Sequence, residues 1–173
     1  MKKLAVLMLA LLLAALPLLA CGDADDPNAV FVDPNAVHGG EYGDLYFEAD
    51  GVRFGIYDEA EPVLAALPAY RATFTGETCA FDSEDVYYYY SGYQIMANAI
   101  DGVLRITAIT VADDTVKTPQ GLYIGMSETD AAAAFPKLLE NDWNLIDGSA
   151  LLSVTMKDGV IASIVYTPSS MEN

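Results

Sequence analysis

Three of the four aspartate-glycine pairs, Asp50-Gly51, Asp101-Gly102 and Asp158-Gly159, sit between short runs rich in apolar and aromatic residues. Such a pair readily takes the positive φ of a two-residue hairpin turn, so each predicts two antiparallel strands joined tightly. A chain punctuated in this way is committed to meanders. Strand candidates are the two runs flanking Asp50-Gly51, then 78–81, 86–90, 93–100, 103–111, 142–146, 150–156 and 160–166. In 150–156, Leu152, Val154 and Met156 alternate with Ser153 and Thr155, which predicts one buried and one wet face.

Two segments follow a helical period instead. In DEAEPVLAALP, Val63, Leu64, Leu67 and Tyr70 fall on one face of a short helix, with Pro62 in its first turn and Pro68 near its end. In GLYIGMSETDAAAAFPKLL, Gly121 and Gly125 repeat the spacing of Gly51 and Gly55. Ser127 is an N-cap with Asp130 three residues on, and Ala131, Ala134, Phe135 and Leu138 continue one face. The fold expected is α+β: two tandem helix-plus-antiparallel-meander repeats, 44–115 and 116–168, then a tail at 169–173. Their helices would lie on one face of the sheet and leave the other partly open.

The run G, three residues, GMS, its alanine-rich helix and a meander closing on DGV and an apolar strand resemble the tandem repeats of beta-lactamase inhibitory protein. They also resemble the single repeat of BamE/SmpA-type assembly lipoproteins. The chain is similar, too, to a group of bacterial lipoproteins that pair a CAF and YxY segment with an element placed at Thr118, Gly121 and Gly125. The resemblance spans about 44–167 and implies the repeat fold. No residue matches a position that would carry the inhibitory or assembly activity across. What the inhibitory family implies is a partner gripped on a concave sheet face.

At the N-terminus, Lys2 and Lys3 precede an apolar run that ends Leu18, Leu19, Ala20, Cys21. This is the plan of an export signal, and its end resembles the lipobox of bacterial lipoproteins. An ordinary secretory signal or an uncleaved anchor helix is the competing interpretation. The small residues before Cys21 and the polar GDADD after it favour cleavage of 1–20 and fatty acylation of Cys21. Two or more acyl chains hold a protein stably on membrane lipid, so the expected location is the extracytoplasmic face of a cell membrane. Residues 21–43, with DPNAV twice, read as an acidic tether whose reach is about 25 Å.

The formal charge is −17, and loss of Lys2 and Lys3 leaves six cations against 25 acids, or −19. Such a chain repels phosphate backbones, so no nucleic-acid partner is expected. With Cys21 acylated, Cys79 has no disulfide partner, and in TCAF it reads as a small buried hydrophobe. His38 is the single histidine and lies in the tether, which leaves Ser/His or Cys/His chemistry without an oriented base and a histidine zinc site without ligands. Gly121 and Gly125 lack the GK[ST] of a phosphate loop, and Glu77, Asp82, Glu84 and Asp85 cluster at turns where solvated acids are ordinary. No catalysis, metal or cofactor is expected.

The candidate site is DVYYYYSGY, where Tyr87, Tyr88, Tyr89, Tyr90 and Tyr93 crowd into seven positions. In a strand Tyr88 and Tyr90 point one way and Tyr87 and Tyr89 the other, so one set is structural and the other can stand on an open sheet. Rigid, amphipathic tyrosines on such a face suit a protein partner from the envelope or the extracellular space. A small-ligand or cation receptor using acidic turns such as DSED, or Asp113 and Asp114, is the alternative.

Overall fold

The computed structural model describes residues 43–77 and 83–170. The expected leader, Cys21, the tether with His38, Cys79, the strand expected at 78–81 and the end of the tail lie outside the described residues.

Asp50-Gly51, Asp101-Gly102 and Asp158-Gly159 form the turns expected of them. The aspartates adopt φ of 51, 52 and 55° and the glycines 79, 78 and 78°, a left-handed pair that glycine accepts without penalty and aspartate tolerates. They join β1 (Phe47–Ala49) to β2 (Val52–Phe54), β5 (Tyr93–Ile100) to β6 (Val103–Val111), and β8 (Ala150–Lys157) to β9 (Val160–Pro168). With β3 (Ala72–Glu77), β4 (Glu84–Tyr89) and β7 (Asn144–Asp147), the long strands make one seven-stranded antiparallel sheet in the order β3-β4-β5-β6-β9-β8-β7. β1 and β2 form a separate hairpin.

The expected pair of helix-plus-meander repeats is therefore corrected to a mostly β architecture around one continuous sheet. The two meanders fuse along a backbone ladder, Ile109↔Tyr166, Thr110↔Val165 and Val111↔Ile164. Helix is scarce among the described residues: α1 (Ala60–Ala66), α2 (Glu128–Ala134) and α3 (Pro136–Glu140) have seven, seven and five residues. The alanine-rich run cannot extend because Pro136 pushes Phe135 out of helical geometry, to φ −141° and ψ 78°. Tyr70 lies beyond α1, whose last residue is Ala66. Nor do helices alone cover the sheet, since the β1–β2 hairpin contributes Phe47, Val52 and Phe54 to the core. Phe47 meets Phe54, Tyr93 and Tyr166 at ring-centre distances of 5.5, 5.3 and 6.0 Å.

The segments leading into α1 and α2 are bonded to the sheet beyond the two ends of the β6–β9 ladder. Tyr57 N–H donates to the Ile106 carbonyl (2.8 Å), and Ile106 N–H donates to that of Asp58 (2.9 Å). Gly125 N–H donates to the Ile161 carbonyl (2.8 Å), and Ile161 N–H donates to that of Met126 (2.9 Å). Backbone groups that the fused ladder leaves over thus find partners. Ser127 caps α2, its hydroxyl accepting from Asp130 N–H at 3.2 Å and donating to the Asp130 carboxylate at 2.7 Å.

Candidate functional site: the open face of the sheet

Two neighbouring rows across all seven strands show opposite chemistry. The first runs Thr73, Tyr88, Ile95, Ile109, Tyr166, Leu152, Leu145, and four of these, Ile95, Ile109, Tyr166 and Leu152, are fully buried. The second runs Ala72, Tyr89, Gln94, Thr110, Val165, Ser153, Asn144, and none of these is buried. Because side chains alternate along each strand, these rows are the two faces of one sheet. The open face continues through Phe74, Tyr87, Met96 and Ala108 on one half and Thr167, Leu151 and Ile146 on the other. No residue of either open-face row carries a charge.

This parity places each tyrosine. Tyr87 and Tyr89 lie on the open face, while Tyr88, Tyr90 and Tyr93 turn toward the cover, where Tyr88 and Tyr90 pack against the core and Tyr93 is 4 % exposed. Tyr90 and Tyr93 flank the Ser91-Gly92 turn and stack at 4.7 Å with planes 3° apart. Neither hydroxyl has a hydrogen-bond partner among the described residues. Burial, reinforced by neighbouring tyrosines, pushes the Tyr90 phenol up to about 12 and that of Tyr93 further. Tyr88 is raised as well, by burial and then by Tyr70, whose ring lies 5.2 Å away.

On the open face Phe74, Tyr87 and Tyr89 form a run of rings, 6.1 Å between the first two and 6.4 Å between the stacked pair. Phe74 is 57 % exposed and Tyr89 37 %. A polar ladder fixes Tyr87: its hydroxyl donates to Asp85 Oδ2 (3.2 Å), and Asp85 Oδ1 accepts from Asn98 Nδ2 (2.6 Å). The Asn98 Oδ1 accepts in turn from the Thr107 hydroxyl. Asn98 and Thr107 are buried, and Thr107 is the residue left over by the bulge opposite Met96 and Ala97. Partial burial first, and then the Asp85 carboxylate, raises the Tyr87 phenol above its ordinary value, so it stays a neutral donor.

Phe74, Met96, Asn98 and Thr107 were not among the residues picked from sequence. The alternation Thr73, Phe74, Thr75 was the available signal for β3.

The acidic positions are otherwise engaged or apart. The Asp113 carboxylate accepts from the Thr115 hydroxyl (2.5 Å) and backbone N–H (2.9 Å), which hold it below the usual carboxylate range. Glu77 stands opposite Glu84, Asp82 lies outside the described residues, and Ser83 has a buried hydroxyl without a partner among those described. Among the described residues no three His, Cys, Asp or Glu groups gather in a way that could hold a metal. Two concavities are off the open rows, ≈ 360 Å³ at Tyr46, Glu48, Lys117, Thr118 and Pro119, and ≈ 290 Å³ at Glu59, Glu61, Gly102, Val103 and Leu104. Thr118 and Gly121 form a turn in which the Thr118 oxygens hold the N–H groups of Gly121 and Leu122. No described helix is long and apolar enough to cross a membrane. Comparison with protein-family models, curated proteins and solved structures finds no match.

Proposed function

We propose that this chain is a lipid-anchored, extracytoplasmic interaction module that works without catalysis. Acylated Cys21 holds it to membrane lipid, and the open sheet face binds an envelope or extracellular protein. One observation carries the binding half: a chain of formal charge −17 keeps two neighbouring rows of an exposed, aromatic-ended sheet face free of charge, and the carboxylate beside them, Asp85, is bonded to Tyr87 and Asn98. The centres of protein interfaces are depleted of charge and enriched in aromatic residues and methionine, as the patch of Phe74, Tyr87, Tyr89 and Met96 is. A tyrosine already held by Asp85 loses little freedom when it is covered. The anchoring half is supported by the sequence around Cys21.

The test is photo-crosslinking on intact cells from a probe beside Tyr89, with the crosslinked species identified by mass. Tyr87→Ala and Tyr89→Ala together should cut that crosslink about tenfold or more, the effect of losing aromatic anchors worth ~1–2 kcal/mol, while Arg53→Ala on the β1–β2 hairpin leaves it unchanged. Equal recovery from the tyrosine variant and the native chain would remove the open face from the proposal. Cys21→Ser should release the protein from the membrane fraction, and retention would remove the acyl anchor.

A further inference from the structure

The sheet has two edges, and they are finished differently. β7 is short, and its last residue is occupied: the Asp147 carboxylate accepts the Asp44 N–H at 2.7 Å, and Gly43 passes so close that a Cβ would collide with it. β3 is six residues long, and all of it is exposed except half-buried Gly76. It carries neither the lysine nor the proline with which natural edges are blunted.

The direction of its free backbone groups follows from the ladder. Tyr90 N–H donates across the β4–β5 turn to the Tyr93 carbonyl, so Val86 and Tyr88 also turn their backbone groups to β5, and Asp85, Tyr87 and Tyr89 turn theirs to β3. Their partners Gly76, Phe74 and Ala72 are thereby satisfied. The N–H and C=O groups of Thr73, Thr75 and Glu77 point off the edge.

Charge indicates what fits there. Glu77 faces Glu84 directly, a repulsive cross-strand pair, and neither forms an ion pair among the described residues. Just before the other end of β3, the Arg71 guanidinium donates to the Ser91 hydroxyl (2.9 Å) and forms no ion pair among the described residues, although it helps to lower Asp113. If a second β3 pairs antiparallel with Phe74 opposite Phe74, the side chain of Arg71, which lies just before β3 with its N–H bonded to the Tyr89 carbonyl (2.8 Å), comes beside Glu77 of the other copy. That register also sets Thr73 opposite Thr75, so the outward backbone groups exchange both hydrogen bonds at each such pair. Sliding by two residues places Thr75 opposite Thr75 and leaves the Glu77–Glu84 repulsion uncompensated.

We propose that β3 is a self-association edge: two copies of this chain pair antiparallel through it, with Phe74 on the twofold axis, and join two seven-stranded sheets into one. The inference rests on the edge and its charges, and it needs neither the open-face partner nor acylation. An edge of this length buries less than the ~1,200 Å² of a stable complex, so the association is weak and is best trapped covalently.

The full-length chain carrying Cys79→Ser is given Phe74→Cys, Thr73→Cys or Thr75→Cys, oxidised mildly and compared with the Cys79→Ser parent on non-reducing gels. A non-hydrogen-bonded antiparallel pair brings Cα atoms to ~4.5 Å, within disulfide range, while residues two positions out of register lie ~7–8 Å from their own copies. Phe74→Cys should therefore give about tenfold more disulfide-linked dimer than either threonine variant. In that background Arg71→Glu should lower the yield about tenfold, and adding Glu77→Arg should restore it. The proposal is overturned by an absence of dimer from all three cysteine variants, by dominance of Thr75→Cys, by a charge reversal without effect, or by a product containing a different protein.

Discussion

Replacing Tyr93 by phenylalanine should make the protein more stable. The ring fills the core at 4 % exposure, stacked on Tyr90 and 5.3 Å from Phe47, yet its hydroxyl meets no donor or acceptor among the described residues. A buried hydroxyl stripped of water without a replacement bond costs ~1–3 kcal/mol, and the space vacated by one oxygen is less than a methyl group, whose loss costs ~1 kcal/mol. The balance is a gain of ~1 kcal/mol for Tyr93→Phe. Tyr166 is the internal contrast: equally buried, it donates to Gln120 Oε1 at 2.5 Å, while the Gln120 amide holds the carbonyls of Asp44 and Tyr46. Tyr166→Phe leaves that acceptor unpaired and should cost ~1 kcal/mol. Urea unfolding followed through Trp143, the single tryptophan, reads both, and with slopes of ~1–3 kcal/mol per M the midpoints should move ~0.3–1 M in opposite directions. Midpoints that move the same way, or a loss above ~0.5 kcal/mol for Tyr93→Phe, would mean that the two hydroxyls do not differ in bonding.

Alkaline pH should act through the same residues. Burial raises Tyr90 to about 12 and lifts Tyr93 and Tyr166 further, so the folded state favours the neutral phenol. That stability is complete below the unfolded phenol value near 10 and is lost as pH rises through the folded values. An ultraviolet titration should show Tyr90 ionising well above the ordinary phenol value, with unfolding following; its ionisation at the ordinary value in the folded protein would contradict the reasoning. The two faces should also differ in cost. Ile109→Ala, in the buried row, is expected to lose ~2–5 kcal/mol, and Thr110→Ala, on the open row, ~0.5 kcal/mol or less, whereas equal losses by calorimetry would show that both faces are covered.

What the sequence disclosed was local. The Asp-Gly turns were legible because two adjacent residues set their geometry, and 93–100 and 103–111 coincide with β5 and β6 because each flanks such a turn. The fusion of the two meanders was not legible. It depends on Ile109–Val111 meeting Ile164–Tyr166, and apolar alternation says that a strand has a buried face without saying which strand lies beside it. β3 escaped notice for the opposite reason: an edge strand exposed on both sides needs no apolar pattern, so Ala72–Glu77 reads as a connection after Pro68. Tyrosine alternation showed that the faces differ, but choosing the open one required the packing of Phe47, Val63 and Phe54 over Ile95 and Ile109. The ladder behind Tyr87 depends on a bulge that displaces Thr107, which no local pattern announces.

The distribution of charge gives the open face its meaning. Solubility is served by spreading acids over every exposed surface, and a wet sheet face is where alternate charged residues are ordinarily found. In this chain Asp50, Asp101 and Asp158 are placed in turns, Glu128 and Asp130 in the first turn of α2, and Asp113 and Asp114 in a loop. The face between them is left to Tyr, Thr, Gln, Ser, Asn, Met and Val. Its nearest acid, Asp85, is engaged by Asn98 and Tyr87, so it holds a ring in place instead of adding a free charge to the surface. Two rows kept uncharged, and stiffened at their aromatic end by the ladder of Asp85, Asn98 and Thr107, are what the proposed binding of a protein on this face requires.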